Sequence, residues 1–141
     1  MTDGSTDTVR ASADGTKPIR VFVVDDHPAF LRTVASVIDA APGFALVGTA
    51  ETGARALDAL AGRSDVDMVL LDVNLPDLSG IEVARRRAAD GATELVILMS
   101  TDDPADLPAD AFERGVAGFL PKELLATREL REVWDEAHGV S

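Results

Sequence analysis

Short apolar runs alternate with helical spacings along this chain and predict five strands, each followed by a helix or a short helical segment. The predicted strands cover residues 19–24, 44–50, 68–71, 94–99 and 116–120, where aliphatic and β-branched residues stand between turn residues. The run from Met68 to Leu71 is apolar throughout, as expected for a strand buried on both faces. Strands and helices that alternate in this way predict a parallel sheet with helices on both sides.

Between the strands, apolar residues recur every three or four positions and indicate the buried faces of helices. A short helix from about Pro108 to Gly115 is also expected, because Pro108 would break one begun at Pro104. The predicted stripes are Phe30, Val34, Val37 and Ile38; Ala54, Leu57 and Leu60; Ile81, Ala84 and Ala88; and Leu130, Val133 and Ala137 with Trp134 beside them. The fold class is therefore α/β, a doubly wound five-stranded parallel sheet of the flavodoxin-like kind.

The length of 141 residues suits one domain. Residues 1–17 have almost no large apolar side chains and are predicted to be a disordered tail, which leaves residues 18–141 as the folded domain. There is no cysteine, so thiolate chemistry and disulfides are excluded. Neither a signal peptide nor a membrane span is predicted, and a cytoplasmic protein is the expectation.

The net charge of −12, from 25 acids and 13 bases, disfavours contact with nucleic acid phosphates and anionic membranes. The same charge suits metal cations and basic or neutral protein partners. The run Arg85-Arg86-Arg87 is interpreted as a solvated helix face with some pairing, such as Glu82 with Arg86.

Polar residues follow four of the five predicted strands. They are Asp25 and Asp26, Asp72, Ser100, and Lys122. Because ligands of open α/β sheets bind beyond the carboxyl ends of the strands, these side chains are expected to share one edge. Carboxylates bind Mg²⁺, a carboxylate can accept a phosphoryl group, and lysine with a hydroxyl can hold the phosphoryl oxygens.

Each residue has a simpler interpretation when it is taken alone. Asp25 and Asp26 suit the start of the helix at Pro28, and Ser100 suits a turn. Lys122 alone is an ordinary surface charge, and His27 is interpreted as an exposed neighbour of the acids. Their joint occurrence at successive strand ends favours a functional site.

The motifs at these strand ends resemble those of receiver domains from bacterial two-component response regulators. They are Val-Val-Asp-Asp-His-Pro from Val23, Leu-Leu-Asp-Val-Asn-Leu-Pro from Leu70, and Gly-Phe-Leu-Pro-Lys from Gly118. The resemblance extends from about Ile19 to His138, and it is greatest to the branch that usually carries a C-terminal helix-turn-helix.

The resemblance implies a metal site and a phosphoacceptor. Asp72 would accept the phosphoryl group from a histidine kinase or a phosphotransfer protein. Asp26, Asp72 and the backbone carbonyl of Asn74 would bind Mg²⁺ directly, and Asp25 would bind it through water.

The resemblance also implies a switch. Ser100 would bond the phosphoryl group and move toward it, Lys122 would pair with it, and Phe119 would change rotamer, although Phe119 can also be an ordinary core aromatic. Thr101 stands where the family usually has Ala or Gly. Pro104 and Pro108 are expected to make the following segment irregular.

The leading hypothesis is a phospho-accepting signalling domain rather than an enzyme, with a downstream protein partner and without direct contact to nucleic acid or membrane. A homodimer remains open. An aspartate-based phosphatase would need an acid where Asn74 stands, and the acidic Asp25-Asp26 pair does not suit a flavin phosphate. A phosphorylation-independent interaction module on the same fold remains the alternative.

Overall fold

The structure, a computed structural model, describes residues 17–101 and 116–138. Strands and helices alternate through both ranges. In chain order they are β1 (Ile19–Val24), α1 (Pro28–Ala40), β2 (Phe44–Ala50), α2 (Gly53–Leu60), β3 (Met68–Asp72), α3 (Gly80–Ala89), β4 (Leu95–Ser100), β5 (Val116–Pro121), a 3₁₀ turn (Lys122–Leu124) and α4 (Thr127–Ala137). All five predicted strands are confirmed to within one residue at each end.

The five strands form one sheet in the order β2-β1-β3-β4-β5, and every neighbouring pair is parallel. This confirms the predicted fold class. Strand β3 lies at the centre and all five of its residues are buried, which explains its uninterrupted apolar run. Since all strands point the same way, their carboxyl ends meet at one edge of the sheet.

Each face of the sheet has its own apolar core. On one face, buried residues of α2 and α3 such as Leu60 and Val83 pack with Val69 and Leu71. On the other face, residues of α1 and α4 such as Ile38 and Leu130 pack with Met68 and Leu70. The alternation of the strand side chains between the two cores holds the site-bearing strand ends in place from both sides.

The predicted helix stripes are only partly right, and α1 and α2 illustrate this. In α1 the buried residues are Leu31, Val34 and Ile38, and Phe30 is only half-buried. In α2, Ala54 is exposed, and Gly53, Ala56 and Leu60 are buried instead. The angle at which each helix packs on the sheet decides which of several apolar residues face it.

The arginine run in α3 needs a correction as well. Arg85 and Arg86 are exposed and both pair with Glu82, as expected of a solvated face. Arg87, however, is buried, and its guanidinium bonds Glu94 at 2.7 and 3.1 Å. Arg87 follows the buried residues Val83 and Ala84 by four and three positions and therefore lies on the buried face of α3.

Two predicted segments lie outside the described residues. They are the tail, apart from Lys17, and the helix at 108–115 with Pro104 and Pro108.

In α4, Leu130 is buried as predicted, Val133 and Trp134 are half-buried, and Ala137 is exposed. None of the helices in the described ranges is long and apolar enough to cross a membrane.

Candidate functional site

Backbone hydrogen bonds hold the acidic strand ends at the carboxyl edge of the sheet. The Asp25 N–H donates to the Ala50 carbonyl at 3.0 Å, which extends the β1–β2 pairing by one residue. Beyond Asp72, the Val73 N–H donates to the Met99 carbonyl at 2.9 Å. Both aspartates are therefore fixed by the sheet and are buried, with 0% and 2% of their surface exposed.

Lys122 lies between the two buried carboxylates. Its Nζ is 2.5 Å from Asp25 Oδ2 and 3.0 Å from Asp72 Oδ2. The remaining Asp72 oxygen, Oδ1, accepts the Asn74 N–H at 3.0 Å. One ammonium thus serves two carboxylates that lie on neighbouring central strands.

His27 contacts the same group of acids, although it was predicted to be only their exposed neighbour. Its side chain is 67% exposed, yet Nδ1 lies 3.1 Å from Asp25 Oδ1 and 3.1 Å from Asp26 Oδ1. The His27 backbone N–H also donates to Asp25 Oδ1 at 2.8 Å. Its position directly after two acids is the signal that points to it.

The donor set fits a divalent cation. Asp25, Asp26, His27 and Asp72 each place one ligand atom within 4.8 Å of the others. Among the described residues, Asp25 Oδ2 and Asp26 Oδ1 are buried oxygens without a hydrogen bond of good geometry, and their neighbours are the Lys122 and His27 nitrogens. Clustered carboxylate oxygens are the ligands that hard cations prefer.

The pKa values of Asp72 and Lys122 show how crowded this edge is. Burial raises the pKa of Asp72, and the Asp25 charge adds to that, while the Asn74 N–H and Lys122 only partly oppose it. Burial would lower the pKa of Lys122, but its contacts with Asp25 and Asp72 outweigh this and raise it. The lysine therefore stays charged, and Asp72 carries a charge that its surroundings compensate incompletely.

Ser100 and Phe119 lie on the two strands beyond Asp72. Ser100 ends β4 and is fully buried, and the β3–β4 register pairs its neighbour Met99 with Asp72. Phe119 in β5 is paired with Leu98 and packs, half-buried, against the core beneath α2 and α3. Asn74 is exposed in the loop after β3 and pairs with Ser79. All the predicted site residues thus lie on or beside the carboxyl edge.

Sequence reasoning missed two further contacts at this edge. The Phe30 ring lies under Lys122, with Nζ 4.6 Å from the ring centroid, so the ring helps to position the ammonium. Asp77 binds backbone N–H groups at the start of α2. Phe30 was predicted to be a core residue and Asp77 had no predicted role, because neither residue belongs to the motifs at the strand ends.

The fold and this edge define a class: small doubly wound α/β domains that carry an acidic site at the ends of their central strands. The chain belongs to the response regulator receiver domain family, whose model matches residues 21–135. Signalling by phosphorylation in two-component systems is the standard function of this family.

Two relatives illustrate the match. The nitrate/nitrite response regulator protein NarP of Escherichia coli K12 is 35% identical over 106 residues, which are 75% of this chain and 49% of NarP. The probable transcriptional regulatory protein NarL of Mycobacterium tuberculosis H37Rv is 34% identical over 122 residues, 86% of this chain and 56% of that protein. The chain therefore spans about half the length of these relatives.

The solved structures agree. The signal receiver domain of the M. tuberculosis NarL superposes with a TM-score of 0.75 at 34% identity, covering 86% of this chain and 98% of that domain. The response regulator domain of Thermotoga maritima CheB gives a TM-score of 0.72 at 28% identity, covering 89% and 99%.

Proposed function

We propose that Asp72 accepts a phosphoryl group from the phosphohistidine of a histidine kinase or phosphotransfer protein, and that this modification switches a protein-interaction surface. The observation that carries the proposal is the position of Asp72. Its carboxylate is buried at the end of the central strand, 3.0 Å from Lys122 Nζ and beside the acids that follow β1.

The reaction is a displacement at phosphorus. An Asp72 oxygen forms a bond to phosphorus, the bond between phosphorus and the donor imidazole nitrogen breaks, and that nitrogen keeps the electron pair. The product is an acyl phosphate on Asp72. The Lys122 ammonium balances the charge of the phosphoryl oxygens, and the Ser100 hydroxyl donates a hydrogen bond to one of them.

Mg²⁺ is the proposed cofactor. Asp26, Asp72 and the Asn74 carbonyl would hold it directly, and Asp25 through water. When bound, it supplies positive charge that offsets the phosphoryl oxygens. The buried carboxylate oxygens described above support this assignment.

The proposed product is a signal rather than a released compound, since the phosphoryl group ends on the protein itself. Ser100 and Phe119 are the proposed switch residues, because a charge added at Asp72 acts on the neighbouring strands first. The downstream partner is proposed to be a protein. A net charge of −12 disfavours direct binding of nucleic acid by this chain.

The test is intact-mass spectrometry after incubation with acetyl phosphate and Mg²⁺. We expect the wild type to gain one phosphoryl group and Asp72→Asn to gain none. Asp39→Asn is the matched control, because Asp39 is an exposed acid near the end of α1, and the site lies at the start of that helix. It should be labelled like the wild type.

A wild type that stays unmodified, under conditions that label another receiver in parallel, would contradict the proposal. The interaction-module alternative would then take its place. Labelling that survives in Asp72→Asn would show that a different residue is the acceptor.

A further inference from the structure

The loop after the phosphoacceptor strand is held at two places. At its base, the Gly80 N–H donates to the Val73 carbonyl at 2.9 Å, and Asn74 pairs with Ser79. A side chain at position 80 would lie 2.2 Å from the Asp72 carbonyl oxygen, so glycine is required for this close return. The base of the loop is therefore fixed against the end of β3.

The second place is the tip, where Asp77 binds the start of α2. Its carboxylate accepts the N–H groups of Gly53 at 2.8 Å and Ala54 at 2.9 Å, and also that of Leu78 at 2.9 Å. The first amides of a helix have no partner inside the helix, and a negative charge there is favourable. Asp77 is exposed, yet both of its oxygens are used by backbone groups.

Asp77 does not simply replace a missing helix cap. Thr52 already caps α2, with its Oγ1 accepting the Arg55 N–H at 3.0 Å. Asp77 binds the N–H groups of Gly53 and Ala54, which the Thr52 side chain does not bind. These residues lie 24 and 23 positions from Asp77 along the chain. The contact therefore joins two separate elements.

Close packing reinforces this contact. A Cβ at Gly53 would lie 2.9 Å from Leu78 Cβ and 3.1 Å from Val83 Cγ2, so only glycine allows the loop to approach so closely. The hydrogen bonds hold the pKa of Asp77 below its usual range, chiefly those from Ala54 and Gly53. The carboxylate is thus charged whenever the protein is folded at neutral pH.

We infer that Asp77 is a positioning residue for phosphoryl transfer: it clamps the loop after Asp72 to the N-terminus of α2 and so holds Asn74 beside the phosphoacceptor. The Asn74 N–H bonds Asp72 Oδ1 at 3.0 Å, and its carbonyl is a proposed metal ligand. This inference rests on the proposed function. It also predicts that α2 senses the state of the site through the clamp.

The test compares Asp77→Ala with Thr52→Ala. Both variants remove side-chain hydrogen bonds from the same end of α2, but only the first releases the loop. We expect Asp77→Ala to weaken Mg²⁺ binding, measured by calorimetry, and to slow phosphorylation by acetyl phosphate, each by about tenfold, as for residues that orient metal ligands. Asp77→Asn, which keeps one acceptor oxygen, should fall between Asp77→Ala and the wild type.

Thr52→Ala should lower the melting temperature without changing Mg²⁺ affinity. Hydrogen exchange supplies an independent readout: the amides of Gly53 and Ala54 should lose protection in Asp77→Ala, and in the wild type they should gain protection when Mg²⁺ binds. Equal effects of the two variants on Mg²⁺ affinity, or none from either, would overturn the positioning role. If the wild type takes up no phosphoryl group, the proposed function fails, while Mg²⁺ affinity and exchange still judge the clamp.

Discussion

Charged side chains are paired differently at the two edges of the sheet. At the amino edge two acids, Asp67 and Glu94, each have their own arginine. Arg20 binds Asp67 through two guanidinium nitrogens at 2.9 and 3.1 Å, and Arg87 binds Glu94 in the same two-pronged manner. Such bidentate pairs satisfy both partners and specify their geometry.

At the carboxyl edge the acids outnumber the cations. Asp25, Asp26 and Asp72 lie together, and the Lys122 ammonium contacts two of them, Asp25 and Asp72. Burial and the neighbouring acid raise the pKa of Asp72, whereas the acid of the Arg20 pair has a lowered pKa. Acids and arginines are thus paired one to one at the amino edge, whereas the charges at the carboxyl edge are only partly compensated, as the proposed cation and phosphoryl site would require.

Breaking the buried pair at the amino edge should have the largest effect on stability. Glu94→Gln leaves Arg87 largely buried without its counter-charge, since their side chains are only 6% and 11% exposed. We expect a loss of about 3 kcal/mol in the free energy of unfolding, or roughly ten degrees in melting temperature. Thermal unfolding measures this.

Glu82→Gln is the matched control, because Glu82 pairs with two exposed arginines on the same helix. It should change the melting temperature little. Similar losses from both variants would show that burial does not distinguish these pairs.

Removing a charge at the carboxyl edge should stabilise the metal-free protein. Two carboxylates about 5 Å apart repel by about 3 kcal/mol at an effective dielectric of about 20, and Lys122 offsets part of this. We therefore expect Asp72→Asn to raise the metal-free melting temperature by a few degrees. Asp39→Asn, which is remote from the site, should not.

Mg²⁺ should narrow the difference in melting temperature between the wild type and Asp72→Asn. At ten times its dissociation constant, linkage stabilises the wild type by about 1.4 kcal/mol, and the response of Asp72→Asn should be weaker because one ligand is lost. The measurement is a melting series with and without Mg²⁺ at fixed ionic strength. If Asp72→Asn melts below the wild type without metal and both respond equally, these carboxylates do not share a site.

The smallest expected effect is a pH dependence of opposite sign at the two edges. Burial alone would raise the pKa of Asp67, but hydrogen bonds from Arg20 outweigh it and lower that pKa. A lowered pKa means that ionised Asp67 stabilises the fold above its unfolded value, about 3.9, and that this is lost as pH falls through the folded value. Asp67→Asn should thus be less stable than the wild type at pH 7, with the gap closing only below about pH 4.

For Asp72 the folded pKa is raised, so ionisation destabilises the fold above that pKa. The gain in stability of Asp72→Asn over the wild type should be full at pH 7 and should shrink as pH falls through the raised pKa of Asp72. The loss of stability of Asp67→Asn should begin to shrink only at a lower pH. Melting curves of both variants between pH 3 and 7 without metal test this. The contrast between the edges would be contradicted if, as pH falls, the stability of Asp67→Asn approached that of the wild type before the stability of Asp72→Asn did.

Much of the fold could be predicted from local pattern. Apolar runs bounded by turn residues marked the strands, and the parallel arrangement followed from their alternation with helices. The phase of the helices was less predictable: Leu31 and Ala56 face the core where Phe30 and Ala54 were expected. Apolar residues on adjacent helical positions are equivalent in sequence, and only the packing angle chooses between them.

The sequence alone was enough to place Asp25, Asp26, Asp72, Ser100 and Lys122 at one edge of the sheet, because residues that follow parallel strands share an edge. Tertiary structure decided the individual partners: Lys122 between two carboxylates, Arg87 turned inward to Glu94, and Asp77 bound to the start of α2. The physical reason is the distance over which each feature is specified. The parallel direction of the strands follows from their alternation with helices, which is visible in local sequence pattern. A hydrogen bond or ion pair depends on ångström-scale distances between elements, and no local pattern specifies these.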